Sequence, residues 1–209
     1  MNDLQRVFIH EIGHFIAAEL NYAIFNYDRR TEQFNLTPRI GTKFYNGSVH
    51  NSKATKNSYS IKTCANEYVQ SFYGCLFEVL YRNIELDNCL RITVSKDDHF
   101  IHNYGNGKID AMQIFGIGQR KEIKEFSKSW YEYISKEFYQ EMKSITNHFE
   151  LVFNLDVNDF ILKEYNNKSF EIDINKLLKS LSGFLEIHRP HFFNLINKLY
   201  SIQGINLDN

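Results

Sequence analysis

"VFIHEIGHFIAAEL", residues 7–20, is apolar on nearly every side of a helix, yet it carries two histidines and a glutamate at its centre. An α-helix brings residues i and i+4 onto one face, so His10 and His14 stand one turn apart with Glu11 next to them. That is the spacing with which a helix presents two imidazoles to one metal ion. Three ionisable groups buried in such a helix are costly unless they are paired or metal-bound. Gly13 removes a side chain where another backbone must approach.

Zinc catalysis needs neutral imidazoles to hold the metal, an open coordination position and a nearby base. His10 and His14 are candidate ligands and Glu11 is the candidate base. A third protein ligand is required, and spacing leaves it open among Glu67, Glu78, Asp97, Asp98, Asp110, His99 and His102. A satisfied polar cluster in a helical core is the competing explanation of the same residues.

The chain around this helix is 209 residues long, enough for one domain with a substantial core. Its 24 basic residues nearly balance 25 acidic ones, so no global field draws it to nucleic acid or to an anionic membrane. Neither a basic stripe nor an RNA-binding signature is present. Three cysteines, Cys64, Cys75 and Cys89, form no CxxC pair and suggest no disulfide framework. With no cleavable leader and no run long enough to span a bilayer, the expectation is a soluble, cytoplasmic protein without direct membrane insertion. A GxSxG elbow and a thiol-protease signature are both missing.

Periodicity predicts a first helix starting near Asp3 and running to about Asn21. The alternation of Phe34 and Leu36, broken by Pro38 and Gly41 before Phe44, Tyr45 and Val49, predicts a small strand or hairpin. A second helix is expected from about Ser60 to Arg82, with Ala65, Tyr68, Val69, Phe72, Leu76, Val79 and Leu80 as its apolar stripe. Residues 51–58 and 88–106 are expected as polar loops. A short third helix should run from Lys108 to about Phe115, followed by a long amphipathic helix spanning Ile123 to Phe149. Further helices are expected after Asp156, Asp173 and Pro190. The predicted fold is mainly α, with a small β-hairpin or sheet after the first helix.

The chain resembles the peptidase domain of the FtsH-type AAA+ metalloproteases in four elements taken in order. "HEIGHF" (His10–Phe15) is similar to that family's HEAGHA, and "FNLTPRIG" (Phe34–Gly41) to its V-T-I-x-P-R-G strand. "GCLFEV" (Gly74–Val79) keeps the glycine and first glutamate of a G-R-A-A-E-E helix, with Cys75 in place of the arginine. "GNGKIDAM" (Gly105–Met112) looks like the loop leading to the family's third-ligand aspartate, although Ile109 stands where Asn or Ser is usual. The resemblance implies a zincin-type helical domain, with a zinc-site part at 1–118 and a helical C-terminal part at 119–209.

It further implies Zn2+ held by His10, His14 and Asp110, with Glu78 hydrogen-bonded to a ligand histidine. The expected activity is endopeptidase hydrolysis with Glu11 as general base. Phe34, Asn35, Leu36 and Thr37 are expected to take substrate as an added strand. A Walker A loop, which the family's ATPase carries, is missing from this sequence. The expected substrates are therefore peptides or unfolded, flexible protein segments, with stable substrates left to a separate ATPase or adaptor. A metal-bearing regulatory or scaffold domain that recognises a protein partner without cutting it is the alternative.

Overall fold

The computed structural model describes residues 2–27, 29–52, 60–90 and 107–204. Helix α1 (Asp3–Phe25) starts at Asp3 and is capped by Asn2, whose side chain accepts the Leu4 N–H at 3.1 Å. Asp3 instead occupies the first turn, where an acid meets the positive end of the helix dipole, and pairs with Arg6 at 2.7 Å. Its other oxygen accepts the Tyr45 N–H at 2.6 Å. The helix runs a turn past Asn21 and stops where Asn26 turns left-handed, with φ 51°.

β1 (Thr31–Pro38) and β2 (Tyr45–Asn51) form the antiparallel hairpin expected after the first helix, in the register Phe34↔Val49 and Leu36↔Gly47. Phe34 and Leu36 point into the core, and the Phe34 ring meets Phe8 of α1 at 5.8 Å. The sheet is larger than the sequence suggested. β3 (Ile161–Glu164) and β4 (Phe170–Ile172) complete an antiparallel sheet of order β2-β1-β4-β3, with Asn35↔Glu171 and Leu36↔Phe170 joining β1 to β4. Among the described residues, β1 is therefore an interior strand and β2 lies at an edge.

α2 (Ile61–Arg82) is capped by Ser60, which accepts the Thr63 N–H at 3.1 Å, and ends at Asn83 with φ 51°. Every residue of its expected apolar stripe is buried. α2 packs on α1 at very close range, because a Cβ on Gly13 would stand 2.3 Å from the Tyr73 carbonyl oxygen. Glycine at this crossing lets the two backbones touch. α3 (Gly107–Gly118) carries Asp110 against this pair and continues past the expected end near Phe115 through Gly116 and Gly118.

The single long helix expected over 123–149 is instead a series of shorter pieces. α4 (Ser127–Glu132) leads into a π-type stretch (Tyr133–Phe138), then α5 (Tyr139–Ser144), and α6 (Thr146–Phe153) restarts after Ile145 leaves helical geometry at ψ 29°. The amphipathic spacing survives these breaks because Trp130, Ile134, Phe138, Met142 and Phe149 all remain buried. The expected helix after Asp156 is a 3-10 turn (Val157–Phe160) followed by β3. α7 (Ile174–Ile202) runs straight through Pro190. Pro190 and Glu186, whose carbonyl loses its helical donor, are both exposed, so water can satisfy the freed group.

Residues 119–209 are thus not purely helical: they supply half the sheet, and β4 ties them to the hairpin of the first part. Of the expected polar loops, residues 53–59 and 91–106 lie outside the described residues, and with them Asp97, Asp98, His99 and His102. Among the described residues no helix is long and apolar enough to cross a membrane.

Candidate metal centre

α1 presents His10, Glu11 and His14 toward the start of α3, and the glycine at the α1–α2 crossing decides how near they lie to α2. Gly74 faces the two imidazoles so closely that a Cβ there would sit 2.3 Å from His14 Nε2 and 2.8 Å from His10 Nε2. Asp110 approaches from α3, with Oδ2 2.9 Å from His10 Nε2 and Oδ1 3.3 Å from His14 Nε2. The two Nε2 atoms are 3.2 Å apart. Three donors from two helices thus meet at one point.

The outer ring nitrogens settle the tautomers. His14 Nδ1 lies 2.8 Å from the Gln70 carbonyl, which can only accept, so Nδ1 carries the proton. His10 Nδ1 donates in the same way to Glu78 Oε2 at 2.9 Å. In the neutral rings both Nε2 lone pairs then face each other and a carboxylate. That arrangement is repulsive unless a cation or extra protons lie between them. This donor chemistry fits a metal ion.

Without an ion the same geometry draws protons. Burial opposes charging His10, but Asp110, Cys89 and Glu78 together outweigh it and raise its pKa well above the ordinary value; for His14, Asp110 and Glu11 together overcome burial and raise it too. Asp110 is correspondingly held well below the usual carboxylate range by His14 and His10, against the opposing effect of burial. Glu11 moves the other way: burial pushes its carboxyl up, only partly offset by the two histidines.

Glu78 is fully buried and stands behind the site. Its Oε1 accepts from Arg6 Nη1 and from Arg82 Nη1, each at 2.9 Å. Burial raises its pKa, but the His10 hydrogen bond and Arg6 prevail and hold it down to about 2. Because it meets His10 through Nδ1, Glu78 does not face the point where the Nε2 atoms converge. Glu67 does not either, being taken up by Arg29 at 3.1 Å and by Arg120. Of the acids proposed as third ligand that lie among the described residues, Asp110 alone contacts both Nε2 atoms.

The triad opens on a cleft of about 730 Å³ between α1, α2, α3 and β2. Glu11 lines it, facing Gly47 of β2 so closely that a Cβ there would fall 2.1 Å from Glu11 Cγ. The expectation for Phe34, Asn35, Leu36 and Thr37 is corrected here. β1 pairs with β2 on one side and, at Asn35 and Leu36, with β4 on the other, Phe34 and Leu36 are core residues, and none of the four lines the cleft. The edge strand β2, through Gly47, Ser48 and Val49, borders the cleft instead.

Sequence reading also missed several neighbours. Arg6 precedes His10 by one helical turn, and that spacing was available as a signal. Cys75 and Cys89 lie together behind the triad, 2.9 Å apart at Sγ, with Cys75 Sγ 3.8 Å from Asp110 and Cys89 Sγ 3.9 Å from Glu78. With His10 they form a second possible metal-binding group besides His10, Glu11 and His14. Both thiols are buried and neither lines the cleft, so a metal held by them would be closed to substrate. Comparisons of the chain with protein-family models, with curated proteins and with solved structures find no match.

Proposed function

We propose that the chain is a zinc-dependent metallopeptidase of zincin type, akin to the FtsH peptidase domains, that cleaves within flexible or unfolded protein segments. The observation that carries this reading is the convergence of His10 Nε2, His14 Nε2 and the Asp110 carboxylate at 2.9–3.3 Å on the floor of an open cleft, with Glu11 beside them. Zinc–ligand bonds of about 2.0–2.1 Å in a tetrahedron place neighbouring donors about 3.3 Å apart, close to the observed spacings. Three protein ligands leave the remaining position to water or substrate. When bound, zinc supplies Lewis acidity to the scissile carbonyl and acidifies water.

The chain's own residues do the rest. Glu11, whose carboxyl is raised by burial, takes the proton of the attacking water and passes it to the departing amine. Glu78 keeps His10 in the tautomer with a free Nε2, and the Gln70 carbonyl does so for His14. The outer edge of β2 can pair with an extended peptide, and Gly47 leaves room for Glu11 beside it. Pairing along that edge takes a substrate segment that is already extended or flexible.

The test is Glu11→Gln. Cleavage of a labelled, unfolded protein should fall by about 100- to 10,000-fold, the usual weight of a general base. Zinc content by elemental analysis should remain that of the wild type, while His14→Ala and Asp110→Ala should lose the metal. Wild-type protein that takes up no zinc on reconstitution would overturn the reading, and the non-cutting scaffold would then be the better account.

A further inference from the structure

Two thiols behind the metal centre take no part in the proposed chemistry. Cys75, in the C-terminal half of α2, and Cys89, which closes the 3-10 turn Leu86–Asn88, hold their sulfurs 2.9 Å apart. The turn fixes Cys89 through its N–H, which donates to the Leu86 carbonyl at 2.9 Å. The third cysteine, Cys64, lies three turns back along α2, where its sulfur is 3.9 Å from Arg120 Nη1.

The distance between the sulfurs decides between two uses of such a pair. Two sulfurs bound to one tetrahedral zinc, each at about 2.3 Å, stand about 3.8 Å from one another. In a disulfide they are about 2.05 Å apart. At 2.9 Å, Cys75 and Cys89 are closer than a shared zinc ion allows and within about 1 Å of a covalent bond.

The surroundings hold the pair in place. Gly107, the first residue of α3, rests on both sulfurs: a Cβ there would fall 2.5 Å from Cys75 Sγ and 2.6 Å from Cys89 Sγ. Asp110 lies one turn further along α3, its Oδ2 3.8 Å from Cys75 Sγ, and Glu78 Oε2 is 3.9 Å from Cys89 Sγ. Thiols fixed at this range meet at a high effective concentration, which favours the disulfide at equilibrium. Burial slows the arrival of a reagent without changing where that equilibrium lies.

We propose that Cys75 and Cys89 form a redox site, at which hydrogen peroxide converts the two thiols into a disulfide that fastens α2 to the chain beyond it, beneath the start of α3. Cys89 is 2% exposed and Cys75 fully buried, so Cys89 meets the oxidant first. Its sulfur gives two electrons to the peroxide, the O–O bond breaks, and a sulfenic acid and one water result. The Cys75 sulfur then attacks the Cys89 sulfur; the S–S bond forms, the S–O bond breaks, and the departing hydroxide leaves with the Cys75 proton as a second water. The bond closes a loop of 15 residues, Cys75 through Cys89. Cross-linking a loop of that length lowers the unfolding equilibrium constant by about 100-fold. This site does not depend on the peptidase reading.

The test treats folded wild-type protein with hydrogen peroxide, removes the excess with catalase, and counts free thiols after denaturation in an alkylating reagent. The count should fall from three to one, with the intact mass lower by two hydrogens before alkylation, and dithiothreitol should restore all three. Peptide mapping without reductant should recover Cys75 and Cys89 in one linked pair. The Cys64→Ala protein should form the same link, and the oxidised wild type should unfold at higher denaturant than the reduced form. Three thiols surviving prolonged exposure, a link through Cys64, or Cys89 carried to sulfinic acid without a bond to Cys75 would each overturn the site. A disulfide that forms but leaves the unfolding midpoint unchanged would overturn its action as a fastening. None of these readouts requires cleavage of a substrate, so a failed peptidase assay leaves the redox site standing.

Discussion

Glu78 shows how much one buried side chain can carry. It neutralises Arg6 and Arg82 through one oxygen and orients His10 through the other, all without access to water. Glu78→Gln keeps the shape and removes the buried charge that Arg6 and Arg82 share. Losing one partner of such a network costs about 3–5 kcal/mol, with Arg6 cushioned by its second bond to Asp3. Zinc affinity should fall by about 10- to 100-fold, the usual effect of removing a carboxylate that orients a metal-binding histidine. Competitive metal titration and denaturant unfolding read the two effects separately. The pH dependence has a defined sign. A carboxyl held down to about 2 from an ordinary 4.5 contributes stability that is full above 4.5 and lost as pH falls toward 2. The Gln variant should lack that acid-side loss, and a variant that unfolds in acid as the wild type does would show that Glu78 is not the group responsible.

At the scale of elements, two close approaches bring the site together, and each has its own failure. Gly13→Ala would drive a methyl into the Tyr73 carbonyl, so α1 and α2 must separate along their whole contact. Overpacking of this kind costs typically about 1–3 kcal/mol, and here it should also loosen zinc binding because the ligands ride on α1. Gly47→Ala meets the buried Glu11 side chain first, at Cγ, and must displace its carboxylate. It should leave stability and zinc content near wild type while reducing turnover. Equal loss of zinc in both variants would contradict this division. These glycines also mark what was legible. Gly13 could be read as a close-approach position because it lies inside a strongly periodic helix, as could the stripe of α2 and the alternation of Phe34 and Leu36, since each pattern is local. β3 and β4 were not legible. They are four and three residues long, and their place is set by β4 pairing with β1, more than 130 residues away, and by β3 pairing with β4. Asp110 followed only from a resemblance, being 100 residues from His10, and nothing local marks Arg29 or Cys89 as neighbours of the cleft.

For the molecule as a whole, a second histidine cluster tests whether the core behaves as one unit. His188 of α7 is buried among Tyr73, Phe149 and Phe184, with Nε2 3.0 Å from the Tyr73 hydroxyl. It links the C-terminal helix to the middle of α2, next to Gly74. Burial, helped by His191 and His148, pulls its pKa down to about 3 from an ordinary 6.5. The unfolded chain then binds a proton between these values that the folded chain refuses, so stability must fall as pH drops from 6.5 toward 3, with a limiting slope of about 1.4 kcal/mol per pH unit. His10 and His14 act in the opposite sense in metal-free protein. Their raised values give stability that is present below 6.5 and lost as pH rises through those values, so they add no slope below 6.5. Glu78 contributes only below 4.5. The window from pH 4.5 to 6.5 in metal-free protein therefore separates His188 from these three groups; Glu11, raised by burial, acts there in the opposite sense, and its contribution cancels when wild type and a His188 variant are compared. Denaturant unfolding across that window should show the slope in wild type and its loss in His188→Phe, which keeps the aromatic packing and removes the titrating group. A slope that persists in the Phe variant would place the proton uptake elsewhere. A slope that vanishes would assign the proton uptake to His188, and with it the buried contact between α7 and Tyr73 of α2.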